Sequence, residues 1–247
     1  MKIWRYMDLA KFISLISKRS LYFTNPKRFN DPYEFYLPKS EMNIIQNIVN
    51  QNNKVLNDYL LNNVLLTHEQ KSYFNEKINK LQNSLRTIEE QVKEKFGVNC
   101  WHINNYENEA LWKIYTNNGH GISIETTIDK LKESLTFHRE IMYDEVRYQD
   151  FNDEIIAKGH KYYGGFIKRK AFEYEKEFRA MVLLDEQDFG KGCFVNVDLD
   201  ILVEKIHISP SMPKYFLDSI KYLCQGELSF LEDRIFQSTL YEKVENN

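Results

Sequence analysis

The sequence is poor in cysteine. Its three cysteines, Cys100, Cys193 and Cys224, lie far apart and form no Cys-x-x-Cys pair. An odd number of separate thiols fits neither a disulfide framework nor a zinc site, and it is typical of proteins from a reducing compartment. We therefore expect a cytoplasmic protein.

Long apolar runs and a strong charge of one sign are also missing. No segment approaches the roughly 18 to 20 apolar residues that a membrane span requires. The 33 lysines and arginines nearly balance 36 aspartates and glutamates, and the formal net charge is −3. This balance excludes a whole-molecule attraction to nucleic acid or to anionic lipid. Any contact with nucleic acid would need a local basic patch.

The motifs of common cofactor and metal sites are absent. The chain has no Gly-x-Gly-x-x-Gly, no phosphate-binding P-loop and no His-Glu-x-x-His. Its six histidines show no metal-ligand spacing. We therefore expect a site that works without a metal ion.

Glycine and proline are scarce, and neither occurs between Pro38 and Gly97. Within this stretch Thr67 and Gln70 form a capping-box pattern. Beyond it, apolar residues recur at steps of four and three, which predicts a long helix with one apolar stripe. The stripe consists of Phe74, Ile78, Leu81, Leu85, Ile88 and Val92. We expect a helical insertion at about residues 40–96 in a single domain that spans residues 1–247.

Outside the insertion, strands and helices follow one another without regular alternation. Period-two patterns predict strands at Lys2–Tyr6, Leu21–Phe23, Val98–His102, Ile122–Ile124, Ile141–Val146, Phe178–Leu184, Val203–Ile208 and Arg234–Leu240. Helical spacing and caps predict helices after Asp8 as far as Arg19, at Asn108–Thr116, at Phe151–Lys170 and at Lys214–Cys224. This order predicts an α+β fold with a mixed or antiparallel central sheet and flanking helices.

Two polar clusters lie in the first 34 residues. Arg5 sits in an aromatic first strand, either as an edge charge or as a clamp for an anion, since its planar guanidinium suits phosphate. Asn30 and Asp31 precede a proline and form a turn. Turn chemistry does not require the Glu34 that follows, so this glutamate is a further candidate.

A third polar cluster enters the strand at Phe178–Leu184. Alternation along an extended chain places Glu173, Glu175, Glu177 and Arg179 on one face. Carboxylates on one face repel one another unless they are paired. The face is therefore either solvated or part of a cleft that holds a catalytic carboxylate.

Taken in order, these clusters resemble a bacterial and phage family known as domain of unknown function 2971. The resemblance rests on Tyr6, residues 21–23, 29–34, 110–115, 119–124, 174–179 and 206–210, and Ser238. It covers most of the chain except the helical insertion. The family name implies little about activity.

A second resemblance is to the plan of ADP-ribosyltransferases. It implies NAD as substrate, with Arg5 orienting NAD, Ser123 supporting the site, and Glu175 or Glu177 binding the nicotinamide ribose. Aromatic residues that could contact nicotinamide are Tyr6, Trp112 and Tyr115. The middle strand lacks the Ser-Thr-Ser of that plan. The implied activity is transfer of ADP-ribose to RNA, DNA or protein, as in a toxin or an antiphage effector.

Two alternatives remain from the residues alone. Lys168, Arg169 and Lys170 could supply a local basic patch for a metal-independent nuclease or an RNA-binding protein. The chain could instead be a non-catalytic domain that binds an antitoxin or another partner through the helical insertion.

Overall fold

The computed structural model describes residues 1–36, 92–116, 119–152 and 163–242, with isolated positions between 47 and 76. Most of the predicted insertion lies outside these residues, as does most of its apolar stripe, and the insertion stays a prediction. The capping box is confirmed: Gln70 Oε1 accepts the backbone N–H of Thr67 at 2.9 Å, and Thr67 Oγ1 accepts that of Gln70 at 3.3 Å. Among the described residues, no helix combines the length and the apolar character that crossing a membrane requires.

Twelve strands are described: β1 (Lys2–Met7), β2 (Ser20–Thr24), β3 (Phe96–Ile103), β4 (Ile122–Thr127), β5 (Leu135–Thr136), β6 (Ile141–Glu145), β7 (Arg147–Gln149), β8 (Ile167–Arg169), β9 (Glu177–Leu183), β10 (Gly192–Val197), β11 (Lys205–Ile208) and β12 (Ile235–Gln237). The described α-helices are α1 (Leu9–Lys18), α2 (Glu109–Tyr115), α3 (Ile128–Ser134), α4 (Leu199–Leu202) and α5 (Lys214–Leu223). Short 3-10 helices lie at Pro26–Arg28, Tyr163–Phe166, Lys170–Glu175, Glu186–Asp188 and Gly226–Arg234.

Ten of these strands form one sheet centred on β3. Along one edge β3 pairs with β9, which in turn pairs with β6. Along its other edge β3 pairs with both β1 and β2. The β1 side continues through β4 and β11 to β12, and the β2 side continues through β10 to β5. All pairs are antiparallel except β11–β12, so the predicted α+β class with a mixed, mostly antiparallel sheet is confirmed.

The two faces of this sheet differ in character. One face buries the main apolar core, in which Ile3, Trp101 and Val182 pack with side chains of α1, α3, α4 and α5. The other face, called here the site face, carries two smaller apolar clusters. One contains Phe35, Phe96, Val98, Phe166 and Met181, and the other contains Trp4, Tyr6, Leu111 and Trp112. Charged side chains of β8 and β9 lie on the site face.

Two predictions of local structure are wrong. Residues 167–169, predicted as helix, form β8, because they pair in parallel with β7 and bury Ile167 completely. The acidic segment before β9 is a 3-10 helix rather than extended chain, and Lys176 follows it with a left-handed φ of 41°. Glu173 is therefore exposed and does not share a face with Glu175 and Glu177.

Candidate active site

Charged residues from three separate segments meet on the site face. Glu34 comes from the turn after β2, Lys168 from β8, and Glu175, Glu177 and Arg179 from the start of β9 and the residues before it. All five are buried. Buried charges persist only when they are paired and hydrogen-bonded, so the contacts among them decide what the cluster can do.

Arg179 is the centre of the cluster, and its side chain is 0% exposed. Its Nη1 and Nη2 donate to the two carboxylate oxygens of Glu34 at 3.0 and 3.1 Å, and Nη1 also donates to the Gly165 carbonyl at 2.9 Å. Its Nε and Nη2 donate to Glu177 at 2.8 and 3.2 Å. Burial alone would lower the pKa of Arg179, but the charges of Glu177 and Glu34 raise it well above its usual value.

Lys168 binds all three glutamates. Its Nζ lies 3.1 Å from Glu34 Oε1 and 2.9 Å from Glu177 Oε1, and it also donates to Glu175 Oε2. Burial would lower the pKa of Lys168, yet the carboxylates of Glu177 and Glu34 raise it above its usual value. Lys168 is therefore a permanently charged bridge across the cluster.

Glu175 and Glu177 are neighbouring carboxyl groups whose pKa values are shifted in opposite directions. Both side chains bind the Lys168 ammonium, Glu175 through Oε2 and Glu177 through Oε1 at 2.9 Å. Burial, followed by the hydrogen bond and charge of Glu177, raises the pKa of Glu175 to about 7. Burial acts in the same direction on Glu177, but Arg179, Glu175 and Lys168 hold its pKa well below the usual range. The two carboxyl groups therefore differ in proton affinity, and Glu175 binds a proton more tightly than Glu177 does.

The backbone around Glu175 is held from β3 and β7. His102 Nδ1 donates to the Glu175 carbonyl at 2.6 Å, and burial lowers the pKa of His102, which keeps the ring neutral. The Lys176 carbonyl accepts the Ile103 N–H at 2.8 Å, and Glu177 N–H donates to the Tyr148 hydroxyl at 2.8 Å. These bonds fix the left-handed turn that aims both carboxyl groups at Lys168.

Three partly exposed tyrosines lie near the charged cluster. The Tyr115 hydroxyl, at the end of α2, donates to Glu175 Oε1 at 3.0 Å, while the Tyr115 residue is 41% exposed. Tyr33 and Tyr174 are also about half exposed. The Arg169 guanidinium lies 4.5 Å from the Tyr33 ring and is paired with Asp31 at 2.6 Å. We call the buried charged residues the charged floor of the site: Glu34, Lys168, Glu175, Glu177 and Arg179. We call Tyr33, Tyr115 and Tyr174, together with Arg169 and Asp31, its rim.

Arg5 does not lie at this site, contrary to the expectation from the sequence. In the register of the sheet it is opposite Ile124 and points into the main core, on the face away from Glu177. Its Nη1 donates to Asn99 Oδ1 and to the Cys100 carbonyl, both at 2.8 Å, and its guanidinium lies 5.7 Å from the Trp101 ring. Alternation along β1 turns Arg5 to the face of the sheet opposite the late glutamates, so Arg5 and these glutamates do not face one shared cavity.

The other candidates from the sequence divide between the site and its surroundings. Asp31, Glu34, Tyr115 and Arg179 join the charged floor or its rim, whereas Asn30 is exposed. Tyr6 and Trp112 pack edge to face, with ring centroids 5.0 Å apart. Ser123 is fully buried on the site face, opposite Tyr6 in register, and its Oγ has no hydrogen-bond partner among the described residues.

Sequence reasoning missed Lys168, His102 and Tyr148 as members of the site. Lys168 was expected to belong to an exposed basic run, but it is buried and Arg169 is paired with Asp31, which leaves Lys170 exposed. One feature of the sequence could have indicated that Lys168 belongs to the site: it lies close in sequence to Glu175 and Glu177. The run does not form the basic patch that nucleic-acid binding would need.

No metal site is found in the described part of the chain, where no three His, Cys, Asp or Glu residues are placed to hold an ion. A surface depression of about 490 Å³ lies elsewhere, along β5 and β10, and Asp185 and Cys193 are among its lining residues. Burial raises the pKa of Cys193 to about 11, so its thiol is not a ready nucleophile. The charged floor on the site face is therefore the candidate for chemistry.

The fold and this cluster define an α+β domain with a buried cluster of paired charged side chains. Residues 111–180 match the family model described as protein of unknown function (DUF2971), which confirms the family resemblance read from the sequence. The matched segment runs from α2 into β9 and includes Tyr115, Lys168, Glu175, Glu177 and Arg179. No curated protein and no solved structure matches the chain, so the comparisons lend no support to the likeness to ADP-ribosyltransferases.

Proposed function

We propose that this chain is a cytoplasmic enzyme that cleaves an N-glycosidic bond, with NAD as donor and a macromolecule as acceptor of the ADP-ribosyl group. The observation that carries the proposal is the Glu175–Glu177 pair. Lys168 and Arg179 donate hydrogen bonds to Glu177, and burial beside Glu177 raises the pKa of Glu175 to about 7. A carboxyl group with such a pKa is suited to acid–base catalysis.

The closeness of the two carboxyl groups favours a particular kind of leaving group. Enzymes that hydrolyse ordinary glycosides place their carboxyl groups about 5 to 9.5 Å apart, on either side of the sugar. Here both groups bind the same Lys168 ammonium, so they lie side by side and act from one side of the sugar. This arrangement suits a leaving group that needs no protonation, and the positively charged nicotinamide of NAD is of that kind.

In the proposed reaction, the bond between ribose C1′ and the nicotinamide nitrogen breaks and its electron pair returns to the ring. Nicotinamide leaves as a neutral molecule, and positive charge develops on the ribose. The Glu175 carboxylate stabilises that charge more strongly in the transition state than in the bound substrate. The acceptor nucleophile then bonds to C1′ and gives its proton to Glu175. Glu177 touches no substrate in this scheme and makes Glu175 more basic.

The rim supplies the contacts that Arg5 was expected to make. Arg169 is 36% exposed in its side chain and can reach a phosphate if it leaves Asp31. Tyr33 and Tyr174 offer exposed rings on which a base or nicotinamide can stack. The acceptor is RNA, DNA or protein, as expected of a toxin or an antiphage effector.

The test compares two neighbouring glutamates. Purified chain is mixed with NAD and a cell extract, and nicotinamide release and transferred ADP-ribose are measured. Glu175→Gln should abolish both signals, because the amide cannot accept a proton or stabilise the ribose cation. Glu173→Gln is the matched control, since Glu173 lies on the same segment and is exposed. Absence of NAD consumption in the unmodified chain, or equal activity in the two variants, would overturn the proposal.

A further inference from the structure

We propose that Glu107 is a positioning residue: together with Ser238 from the segment after β12, it holds helix α2 so that Tyr115 meets Glu175. The inference deepens the proposed function, because it rests on Glu175 being the catalytic carboxylate. It concerns residues far from the carboxyl pair in the sequence and at the opposite end of α2.

Glu107 is bound by three elements of the fold. Its side chain is 15% exposed and lies just before the first turn of α2. Its Oε2 accepts the Ser238 hydroxyl at 2.5 Å and the Trp112 indole N–H at 3.0 Å. Its Oε1 lies 3.7 Å from His207 Nδ1 on β11. A single carboxylate therefore connects α2, β11 and the segment after β12.

The sheet side of this connection is itself braced. His207 Nε2 lies 2.9 Å from Glu125 Oε2, and Glu125 is paired with Lys2 at 2.6 Å. The His207 ring lies 4.9 Å from the Trp4 ring, centroid to centroid. Glu107 is thus attached to a chain of charged and aromatic groups across β11, β4 and β1. This network lies on the site face but outside the Glu175–Glu177 cluster.

The geometry of α2 transmits this attachment to the carboxyl pair. The helix has only seven residues, so one fixed side chain sets its rotation. Trp112 is that side chain, because it is 1% exposed and its N–H is held by Glu107. Tyr115 follows three residues later, on the neighbouring part of the same helix face. Its hydroxyl reaches Glu175 Oε1 at 3.0 Å only while that rotation is kept.

Loss of the hydrogen bond between Ser238 and Glu107 should therefore change the pKa of Glu175. If α2 is released, the Tyr115 ring no longer shields the carboxyl group, and water reaches it. Burial is the largest cause of the raised pKa of Glu175. The titration midpoint of Glu175 should accordingly fall from about 7 toward its usual 4.5.

The experiment is an NMR titration of the full chain labelled with ¹³C in its glutamate carboxyl groups. Glu175→Gln assigns the Glu175 resonance by its loss. Ser238→Ala should lower the Glu175 midpoint. Ser219→Ala should not, because the Ser219 hydroxyl is exposed on α5 and bonds the Tyr215 carbonyl at 2.9 Å. No substrate is needed, so the positioning role can stand even if NAD is never cleaved.

A double-mutant cycle separates positioning from a general structural effect. In a Tyr115→Ala background, Ser238→Ala should produce no further change in the Glu175 midpoint, because the Tyr115 ring and its hydroxyl are already gone. An unchanged midpoint in folded Ser238→Ala, or an equal shift in the Tyr115→Ala background, would overturn the inference. If Ser238→Ala does not fold, Trp112→Phe, which removes the indole N–H donor to Glu107 together with part of the ring, is taken through the same cycle.

Discussion

Arg179 and Glu34 are 145 residues apart in the sequence and form a two-pronged ion pair inside the protein, with N–O distances of 3.0 and 3.1 Å. Neither side chain is exposed by more than 1%. This pair joins the turn after β2 to the central strand β9. Because Arg179 also donates hydrogen bonds to Glu177, the ion pair with Glu34 holds Glu177 in place.

Removing one partner from this ion pair should be costly. Arg179→Ala leaves Glu34 and Glu177 buried without their main cation, and such a loss typically costs about 3 to 5 kcal/mol in the free energy of unfolding. Arg169→Ala also removes an arginine paired with a carboxylate, but the Arg169 side chain is 36% exposed and only Asp31 loses its cation, so the expected loss is smaller, about 1 to 3 kcal/mol. Urea unfolding of the two variants measures the difference. Equal losses would contradict the buried geometry.

The raised pKa of Glu175 predicts how stability depends on pH. The folded-state value of about 7 lies above the usual 4.5, so the folded protein binds this proton more tightly than the unfolded chain does. The contribution of Glu175 is complete below pH 4.5 and is lost as pH rises through 7. A difference of this size amounts to about 3 kcal/mol. Compared with wild type, Glu175→Gln should lose this decline in the free energy of unfolding across that window, and parallel curves would refute the assignment.

Lys168 should set the proton affinity of Glu175. The Lys168 hydrogen bond and charge favour ionised Glu175, so Lys168→Met should raise the pKa of Glu175 further. The carboxyl ¹³C titration of Glu175 measures the shift. Lys170→Met, a change at an exposed lysine two residues away, is the control and should leave the titration unchanged. An unchanged titration midpoint of Glu175 in Lys168→Met would show that Lys168 does not influence the pKa of Glu175.

Gly121 should not tolerate a side chain. A Cβ there would lie 2.4 Å from the Met7 carbonyl oxygen and 2.6 Å from Thr116 Cβ, next to the end of α2. Gly121→Ala should therefore cost about 1 to 3 kcal/mol through crowding. Gly226→Ala meets nothing within 4 Å and tests only its positive φ of 73°, at about 1 kcal/mol. Thermal unfolding compares the two, and a smaller loss for Gly121→Ala would contradict the close approach.

Caps and periodicity in the sequence were sufficient to predict the helices that short-range interactions stabilise. The Asp8 side chain caps α1 by accepting the Lys11 N–H at 2.8 Å, as its position before an apolar periodic segment predicted. Asn108 caps α2 in the same way, at the start of the segment predicted as helix. Residues 167–169 resisted prediction because pairing with β7, a distant partner, overrides their helical neighbours.

The site shows the same division. The acidic motif drew attention to Glu175 and Glu177, and alternation along β1 showed that Arg5 and Tyr6 point in opposite directions. Alternation could not tell which of the two faces lies toward the late glutamates. Pairing of β3 with both β1 and β9 decided this, and it placed Arg5 beside Trp101 and away from Glu177.

By itself, the sequence determined which residues could carry charge into the fold and where capped helices such as α1 and α2 begin, because caps and periodicity act over a few residues. The tertiary structure alone decided which charges share a low-dielectric interior. Glu34, Lys168 and Arg179 become a set only when separate segments pack on one sheet face, and that packing raises the pKa of Glu175 while holding Glu177 ionised.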